Sequence, residues 1–332
     1  MTDVGIGQVA QLAGVSVGTV SNFFNRPEVL APGTLERVRL AVTELGYVRN
    51  TAARDLRVGR SRAVGLLVLD IGNPFFTELI EGVEDVATGA GLTVTLGNTK
   101  ESAEKEAAYI SLFLEQRVSG VILAPAAVTH DRLEQLRALG TPVVLVEDAR
   151  DADDYCSVAV DDAQGGRTAM EHLVERGHRR VLVMSGPARI QQVRARIDGA
   201  MDAARSLGVE ATLERTRAFS AADARQAIER MSASGKLEGI TAVFAANDLM
   251  ALGVIQALVE SGRRIPDDVA VIGYDDIPYA AALSPALTSV RQPSREMGME
   301  AMSLLLEETA RHPHHAHRHS LFKPQLQVRQ TT

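Results

Sequence analysis

The stretch VAQLAGVSVGTVSNFFN, residues 9–25, decides the fold of the first part of this chain. Its apolar residues recur at helical spacing on both sides of Gly14, which predicts two short helices joined by a tight turn. Ser16 stands where the second helix should begin, and serine is a favoured N-cap because its hydroxyl accepts a backbone N–H. A third amphipathic helix ends before Gly46, so we expect a three-helix domain over residues 1–46. The predicted helices cover residues 6–13, 17–24 and 34–45.

The two faces of the second predicted helix have different characters. Val20, Phe23 and Phe24 point toward the first helix, where Val9 and Leu12 should meet them. The opposite face is small and mostly uncharged, and it either meets solvent or reaches base edges in a DNA major groove. Glycine within a helix costs roughly 1 kcal/mol relative to alanine, so a close approach by another molecule would explain the glycine on this face. The candidate DNA-contacting residues are Ser16, Val17, Gly18, Thr19, Ser21, Asn22 and Asn25.

A second candidate DNA-contacting segment follows in GYVRNTAARDLRVGRSR, residues 46–62. A helix of about two turns capped by Asn50 would be marginal in water by itself. In one interpretation it folds when Leu56 enters an apolar slot, such as an unstacked base step, while its arginines meet phosphates. The alternative is a flexible linker. The candidate residues here are Ala53, Leu56 and Arg57, within a hinge over residues 47–61.

Charge is distributed unevenly along the 332 residues. Residues 1–62 hold eight arginines and five acidic residues, a net charge of +3, whereas the whole chain carries −7. A mildly basic first part on an acidic protein suits phosphate contact at one end only. The first residues lack a secretory signal pattern, and no apolar run is long enough to span a bilayer, so we expect a cytoplasmic protein without a membrane partner. Cys156 is the single cysteine, which excludes an intrachain disulfide and agrees with a reducing compartment.

Beyond Arg62 the sequence alternates strand-like apolar runs with amphipathic helices. Continuous runs of Val, Leu and Ile are typical of parallel strands covered on both faces. Two series of four runs predict two similar doubly wound α/β layers with a cleft between them. The first series covers residues 64–70, 92–96, 120–125 and 142–147, and the second covers residues 157–161, 180–185, 241–247 and 269–276.

Polar and aromatic residues collect where these strands end, which is where open α/β sheets bind ligands. Phe75 and Phe76 follow the first strand and would form a stacking wall for a sugar or a base ring. Arg196 and Asp275 offer a forked donor and a paired acceptor, a grouping that suits vicinal hydroxyls. Each residue also has a structural alternative, since Phe packs in cores and Asp caps helices. Glu147 and Asn247 end two further strands.

Several ordered motifs together resemble the lactose/galactose repressor (LacI/GalR) family, and the match runs along essentially the whole chain. The resemblance implies an α/β fold with an N-terminal three-helix helix-turn-helix head and a hinge helix, followed by a two-lobed, doubly wound domain like that of periplasmic binding proteins. The implied effector-binding domain covers residues 62–328, with an N-lobe of about 62–160 and 292–328, a C-lobe of about 161–291, and three crossings between them. The motifs are QVAQLAGVSVGTVSN (8–22), ELGYVRNTAARDLR (44–57), LLVLDIGNPFF (66–76), VDDAQGGRTAMEHLVERGHRRV (160–181), VRARIDGAMDA (193–203), FAANDLMALGVIQAL (244–258) and residues 269–293.

The resemblance also implies a function, that of a sequence-specific transcriptional regulator, most simply a repressor. A homodimer would grip a near-palindromic DNA operator, with Leu56 of each hinge helix wedged into the minor groove. A small-molecule effector, sugar-like or alternatively purine-like, would bind between the lobes, and no cofactor is implied. Similar proteins often carry a basic residue where this chain has Asn22, so their operator sequences do not transfer. Together with Glu147, the candidate ligand-binding residues are the positions that match the family's effector pocket: Phe75, Phe76, Gln192, Arg196, Phe219, Asn247 and Asp275.

Other functions are less well supported by the sequence. An enzyme is not predicted, because the phosphate-binding loop, the nucleophile elbow and the His-Glu-x-x-His motif are missing. A periplasmic-type sugar-binding protein would share the body, but it would carry a signal peptide instead of the head. The chain ends without a leucine heptad, so we expect a dimer rather than a coiled-coil tetramer. A histidine-rich tract makes a metal site conceivable, although a solvated loop before a final strand is the simpler interpretation. The tract contains His312, His314, His315, His317 and His319.

Overall fold

The computed structural model describes residues 4–47, 61–126, 130–147, 154–310 and 316–332. The chain forms two compact units that divide between Ser61 and Arg62. The described part of the first unit contains α1 (Ile6–Ala13), α2 (Val17–Asn25), a 3₁₀ turn (Pro27–Val29) and α3 (Pro32–Leu45). These three helices agree with the three that the sequence predicts.

A core of small side chains holds the first unit together. Phe23 and Phe24 pack against this core, as predicted. The prediction for Leu12 is wrong, because its side chain is 46% exposed. The buried stripe of α1 runs through Val9, Ala10 and Ala13, and at 100° per residue Leu12 falls roughly 100° from the centre of that stripe. The fully packed residues are Val9, Ala10, Ala13, Val20, Val38 and Ala41.

Two six-stranded sheets form the second unit, one in each lobe. The N-lobe sheet holds β1 (Ala63–Val68), β2 (Thr93–Asn98), β3 (Val121–Leu123), β4 (Val143–Val146) and β5 (Cys156–Val160). The C-lobe sheet holds β6 (Arg180–Ser185), β7 (Glu210–Arg215), β8 (Ala242–Ala245), β9 (Ala270–Asp275) and β10 (Thr288–Arg291). Late in the chain, β11 (His319–Phe322) joins the first sheet and β12 (Gln325–Gln327) joins the second.

Each sheet is doubly wound, as predicted. The strand orders are β11-β5-β4-β3-β1-β2 and β12-β10-β9-β8-β6-β7. All neighbouring strands are parallel except β10 and β12, which are antiparallel. Leu66 and Leu67 of β1 belong to different core clusters, which shows that helices cover both faces of the N-lobe sheet.

Helices of the second unit lie between consecutive strands. The N-lobe contains α4 (Pro74–Gly89), α5 (Ala103–Glu115), α6 (His130–Ala138) and α12 (Ser294–Thr309). The C-lobe contains α7 (Asp162–Glu175), α8 (Gln191–Ser206), α9 (Ala221–Ala233), α10 (Asp248–Glu260) and α11 (Pro278–Ala282). Among the helices of the described ranges, none combines the length and the hydrophobicity that a bilayer crossing needs.

The chain crosses between the lobes three times, and the crossings shift two predicted assignments. They lie between β5 and α7, between β10 and α12, and between β11 and β12. The run at residues 157–161, predicted to open the second series, belongs to the first sheet because β5 pairs with β4. The N-lobe also ends earlier than residue 328, because β12 pairs with β10, with Leu326 opposite Val290. Strand composition does not encode which of the two sheets a short strand next to a crossing joins.

Helices α7 and α8 pack with their backbones in contact. A Cβ atom on Gly166 would overlap the carbonyl oxygen of Arg196, and one on Gly199 would overlap that of Ala163. Any larger residue at either position would force the helices apart. The close crossing brings Asp162, the first residue of α7, beside the side chain of Arg196 on α8.

Candidate functional site

The second helix of the head begins as the sequence predicts. Gly14 makes the preceding turn with a φ of 64°, a conformation that glycine adopts without strain. Ser16 Oγ accepts the Thr19 backbone N–H at 3.1 Å and lies 2.9 Å from Thr19 Oγ1. At the other end, Asn25 Nδ2 donates to the Ser21 carbonyl oxygen at 2.9 Å. Four of the seven candidate residues on this helix therefore make contacts that shape its ends.

The other three candidates, Val17, Gly18 and Asn22, face outward. Val17 is 48% exposed, and its methyl groups suit contact with a thymine methyl. The Asn22 side chain is exposed, and an amide of this kind can pair bidentately with adenine. A Cβ atom on Gly18 would meet only Ser16 Oγ, at 3.6 Å, which is ordinary contact. Packing within the described head therefore gives no reason for glycine at this position.

Two sets of predicted residues fall wholly or partly outside the described chain. Ala53, Leu56 and Arg57 of the hinge all lie there, so their DNA contacts stay a prediction. In the histidine tract, residues 311–315 lie there too, whereas His317 and His319 are described.

All eight predicted ligand-binding residues line one cavity between the two lobes. The cavity has about 550 Å³ of empty space, counting its open mouth. Asp70, Asn73 and Glu101 also line it. The eight predicted residues are Phe75, Phe76 and Glu147 from the N-lobe, and Gln192, Arg196, Phe219, Asn247 and Asp275 from the C-lobe.

The aromatic wall of the cavity belongs to the first turn of α4. Asn73 caps this helix by accepting the Phe75 N–H on Oδ1 at 3.1 Å. The Phe75 and Phe76 rings lie edge to face, with centroids 5.0 Å apart. Because they are only 3% and 5% exposed, both rings serve mainly as core and present a small apolar surface to the cavity. Phe75 and Phe76 are therefore both core residues and part of the cavity wall.

Arg196 is the centre of a buried polar network in the cavity. Its Nε and Nη2 both donate to Asp162 Oδ1, at 2.9 and 2.8 Å, and its Nη1 donates to the Ala246 carbonyl oxygen. The guanidinium carbon lies 3.5 Å from the centroid of the Tyr274 ring, which adds a cation–π contact. Asp275, the other side chain predicted to hold ligand hydroxyls, is farther away, with Oδ1 3.8 Å from Nη1. Most of the Arg196 fork is therefore taken by Asp162 before any ligand binds.

Two carboxyl groups at strand ends resist ionisation. Burial, followed by the charge of Asp162, raises the pKa of Glu147 to about 8, so this side chain is protonated at neutral pH. Burial raises the pKa of Asp275 to about 6, although Arg196 opposes the rise. Both residues have positive φ angles, 61° and 102°, which non-glycine residues adopt mainly where the surrounding structure imposes them. Glu147 Oε1 is buried without a hydrogen-bond partner among the described residues, which leaves it available to a ligand.

Polar contacts join the two lobes around the cavity. Asn73 Nδ2 of the N-lobe donates to Asp275 Oδ2 of the C-lobe at 3.0 Å. Arg189 Nη2 of the C-lobe donates to Glu101 Oε2 of the N-lobe at 2.7 Å. A molecule in the cavity would thus contact side chains whose hydrogen bonds already bridge the two lobes.

Sequence reasoning did not identify several polar residues of this site, among them Asp70, Asn73, Glu101, Asp162 and Tyr274. A signal for Asp162 was present, because the acidic pair that follows β5 repeats the pair at the end of β9. Asn73 precedes Pro74 at the start of α4, where a capping residue is expected. Tyr274 reads as an ordinary core residue, and no sequence pattern distinguishes it.

Comparisons with known proteins agree with this architecture. The profile for "Bacterial regulatory proteins, lacI family" matches residues 5–50, and the profile for "Periplasmic binding proteins and sugar binding domain of LacI family" matches residues 61–323. The chain is 37% identical to the HTH-type transcriptional repressor PurR of Vibrio atlanticus, over 91% of both chains. It is 35% identical to the ribose operon repressor of Bacillus subtilis, over 91% of this chain and 90% of that one.

A solved structure of the lac repressor dimer, bound to operator and the anti-inducer ONPF, is similar along the whole length. Its sequence identity is 27% and its TM-score is 0.84, covering 100% of this chain and 99% of that chain. The helix-turn-helix head, the two-lobed body and the matched profiles agree with one another. This chain therefore belongs to the LacI family of bacterial regulatory proteins and is a DNA-binding transcriptional regulator, not an enzyme.

Proposed function

We propose that this regulator acts in the cytoplasm as a homodimeric repressor of a near-palindromic operator, and that a neutral, sugar-like effector controls it. The outward face of α2 would read bases in the major groove, and the hinge would add minor-groove contacts through Leu56. The observation that carries the effector site is the meeting of eight predicted residues, from both lobes, around one cavity.

The charges around the cavity favour a neutral effector. Four acidic residues line it, namely Asp70, Glu101, Glu147 and Asp275. Arg196 is the one cation among the described lining residues, and Asp162 already pairs with it. A phosphate or carboxylate ligand would therefore meet acidic oxygens without an available cationic partner.

Hydroxyl groups match the hydrogen-bonding capacity of these acids. The carboxylate of Asp275 accepts hydrogen bonds, and a protonated Glu147 donates as well as accepts. A sugar hydroxyl can fill either role, and the phenyl edges of Phe75 and Phe76 can pack on the apolar face of a sugar ring. The ribose operon repressor among the relatives agrees with this class.

A purine is the second candidate. The relatives include a repressor named PurR, and an aromatic wall also suits a planar base. A purine base is neutral, so the acidic lining does not exclude it. The two classes differ in what they require, since a base presents ring nitrogens where a sugar presents several hydroxyls.

Effector binding would act on DNA affinity through the angle between the lobes. A ligand held by Phe75 on one lobe and Asp275 on the other would favour one lobe arrangement over another. Such a ligand shifts the equilibrium only by its difference in affinity for the two arrangements. We expect the change to reach the operator through the spacing of the two hinges in the dimer.

Calorimetric titration of the full-length protein tests the effector class. The ligands are neutral pentoses and hexoses, their phosphate esters, and purine bases. We expect a neutral sugar to bind and its phosphate ester to bind at least tenfold more weakly. Binding of a purine alone would overturn the proposal that the effector is a sugar, but not the proposal that the cavity is the effector site. A sugar affinity unchanged by Arg196→Ala would overturn the assignment of the cavity as the effector site.

Operator binding is tested separately by fluorescence anisotropy against genomic fragments at two salt concentrations, followed by sequencing of the tight binders. We expect a shared palindrome that is bound above the salt-sensitive background. Leu56→Ala should weaken this binding while leaving effector affinity unchanged. Equal loss of both activities would contradict a role for Leu56 on DNA.

A further inference from the structure

Three side chains with metal-ligating atoms meet at one end of the N-lobe, away from the effector cavity. Cys156 begins β5, Glu308 lies in the last turn of α12, and His317 precedes β11 by two residues. One ligating atom from each, Sγ, a carboxylate oxygen and Nδ1, lies within 4.8 Å of the other two. The effector site uses none of them.

The distances suit a small tetrahedral ion. Cys156 Sγ lies 3.9 Å from His317 Nδ1, and His317 Nδ1 lies 2.7 Å from Glu308 Oε1. Zinc bonds of about 2.3 Å to sulfur and about 2.0 Å to nitrogen or oxygen place tetrahedral ligand atoms about 3.5 Å apart. The two observed separations lie on either side of that value, so small side-chain movements would centre an ion among the three atoms.

The chemistry of the three groups also fits zinc. A thiolate, an imidazole and a carboxylate are the three kinds of ligand that zinc takes in proteins. The thiolate and the carboxylate would together balance the charge of a divalent ion, and the thiol proton would leave to solvent. The Arg318 backbone N–H already donates to Cys156 Sγ at 3.4 Å, a contact that would stabilise a metal-bound sulfur.

We propose that Cys156, Glu308 and His317 form a zinc-binding site, with a water molecule as the fourth ligand. Cys156 is fully buried, whereas the side chains of His317 and Glu308 are 27% and 14% exposed. An ion would therefore enter past His317 and close the site on the buried sulfur.

The proposed zinc site lies at the edge of the N-lobe sheet where the hinge joins the effector domain. Because all strands of the N-lobe sheet are parallel, Cys156 at the start of β5 lies at the same edge as Ala63 at the start of β1. That edge is where the chain enters the effector domain from the hinge. With strands about 4.8 Å apart, the three steps from β5 to β1 span about 15 Å. A bound ion would tie α12 and the chain before β11 to this edge of the sheet.

Cobalt substitution tests the proposal on the full-length protein after dialysis against a chelator. Because Cys156 is the only cysteine, a near-ultraviolet sulfur-to-cobalt charge-transfer band reports on this site alone. We expect one Co²⁺ per chain with that band, and its displacement by Zn²⁺. Cys156→Ser should abolish the band, and His317→Gln or Glu308→Gln should weaken Co²⁺ binding at least tenfold, since even an outer-shell partner of a metal ligand contributes 10- to 100-fold.

Two control variants separate this site from other histidines. His178→Gln removes a half-buried histidine of the C-lobe that contacts Thr241 Oγ1, and it should change nothing. Joint replacement of His312, His314 and His315 by asparagine should also leave the band and the affinity unchanged. The proposal is overturned if folded wild-type protein shows no band, if His317→Gln and Glu308→Gln bind Co²⁺ as tightly as wild type, or if only the triple variant loses binding.

Discussion

Glu147→Gln should remove one contribution to the pH dependence of the effector domain's stability. Burial raises the pKa of Glu147 from its ordinary 4.5 to about 8 in the folded protein. Between these two values the folded chain holds a proton that the unfolded chain has released. Stability from this group is therefore complete below about pH 4.5 and is lost as the pH rises to about 8. Each pH unit in that window removes up to about 1.4 kcal/mol from the free energy of unfolding.

Glutamine keeps the shape of the side chain and cannot ionise, so in the variant this residue no longer makes the free energy of unfolding fall with rising pH. Urea unfolding followed by circular dichroism, at several pH values between about 5.5 and 8.5, gives the free energy of unfolding for both proteins. We expect the curves to diverge with rising pH, and the Glu147→Gln protein to be the more stable at the alkaline end. Glu84→Gln, at an exposed acid on α4, serves as the control and should run parallel to wild type. Parallel slopes for wild type and Glu147→Gln would refute the assignment of a buried, protonated acid.

Three further substitutions test other parts of the structure. Gly18→Ala should stabilise the head by about 0.5–1 kcal/mol in thermal melts, because helix propensity improves without a clash. The same variant should bind the operator more weakly, as measured by anisotropy. Tighter operator binding would contradict the idea that DNA approaches this glycine. Arg196→Ala should abolish effector binding in calorimetry. It should also destabilise the effector domain by about 3–5 kcal/mol, since Asp162 would stay buried without its partner. Wild-type stability of this variant would show that the ion pair contributes little. Gly166→Ala should cost about 1–3 kcal/mol in urea unfolding and lower effector affinity, because the added Cβ overlaps the α8 backbone; a variant with native stability would mean that the helices separate easily.

The location of the effector cavity could be predicted because one rule of topology fixes it. Parallel strands end at a common edge, so Asn247 and Asp275 had to lie near one another in the C-lobe, and Glu147 had to lie at the matching edge of the N-lobe sheet, once their strands were assigned. The helix-turn-helix could be predicted for a similar reason, since Gly14 and Ser16 act on the backbone within a few residues. Both inferences depend on local chemistry and on the direction of strands.

What could not be predicted depends on contacts between distant segments. The sequence indicated Arg196 and Asp275 as ligand-holding side chains but not Asp162, which pairs with Arg196, because the crossing of α7 and α8 sets which acid the guanidinium reaches. The sheets joined by β5 and β12 likewise depend on where the chain crosses between lobes. Leu12 was misplaced because a short helix with alanine in its buried stripe leaves the direction of that stripe ambiguous to within about one residue.

The contact between Gly166 and the backbone of Arg196 has a consequence for how new effector specificities can arise. The charge pattern at the base of the cavity depends on two backbones that touch, and no choice of neighbouring side chain can restore it once they separate. A mutant library that varies the cavity walls, at Phe75, Gln192 and Phe219, can therefore select for new ligands while the packing of α7 against α8 stays unchanged. Libraries that include Gly166 or Gly199 should yield few folded regulators, so recombination within the family should exchange α7 and α8 as a single block.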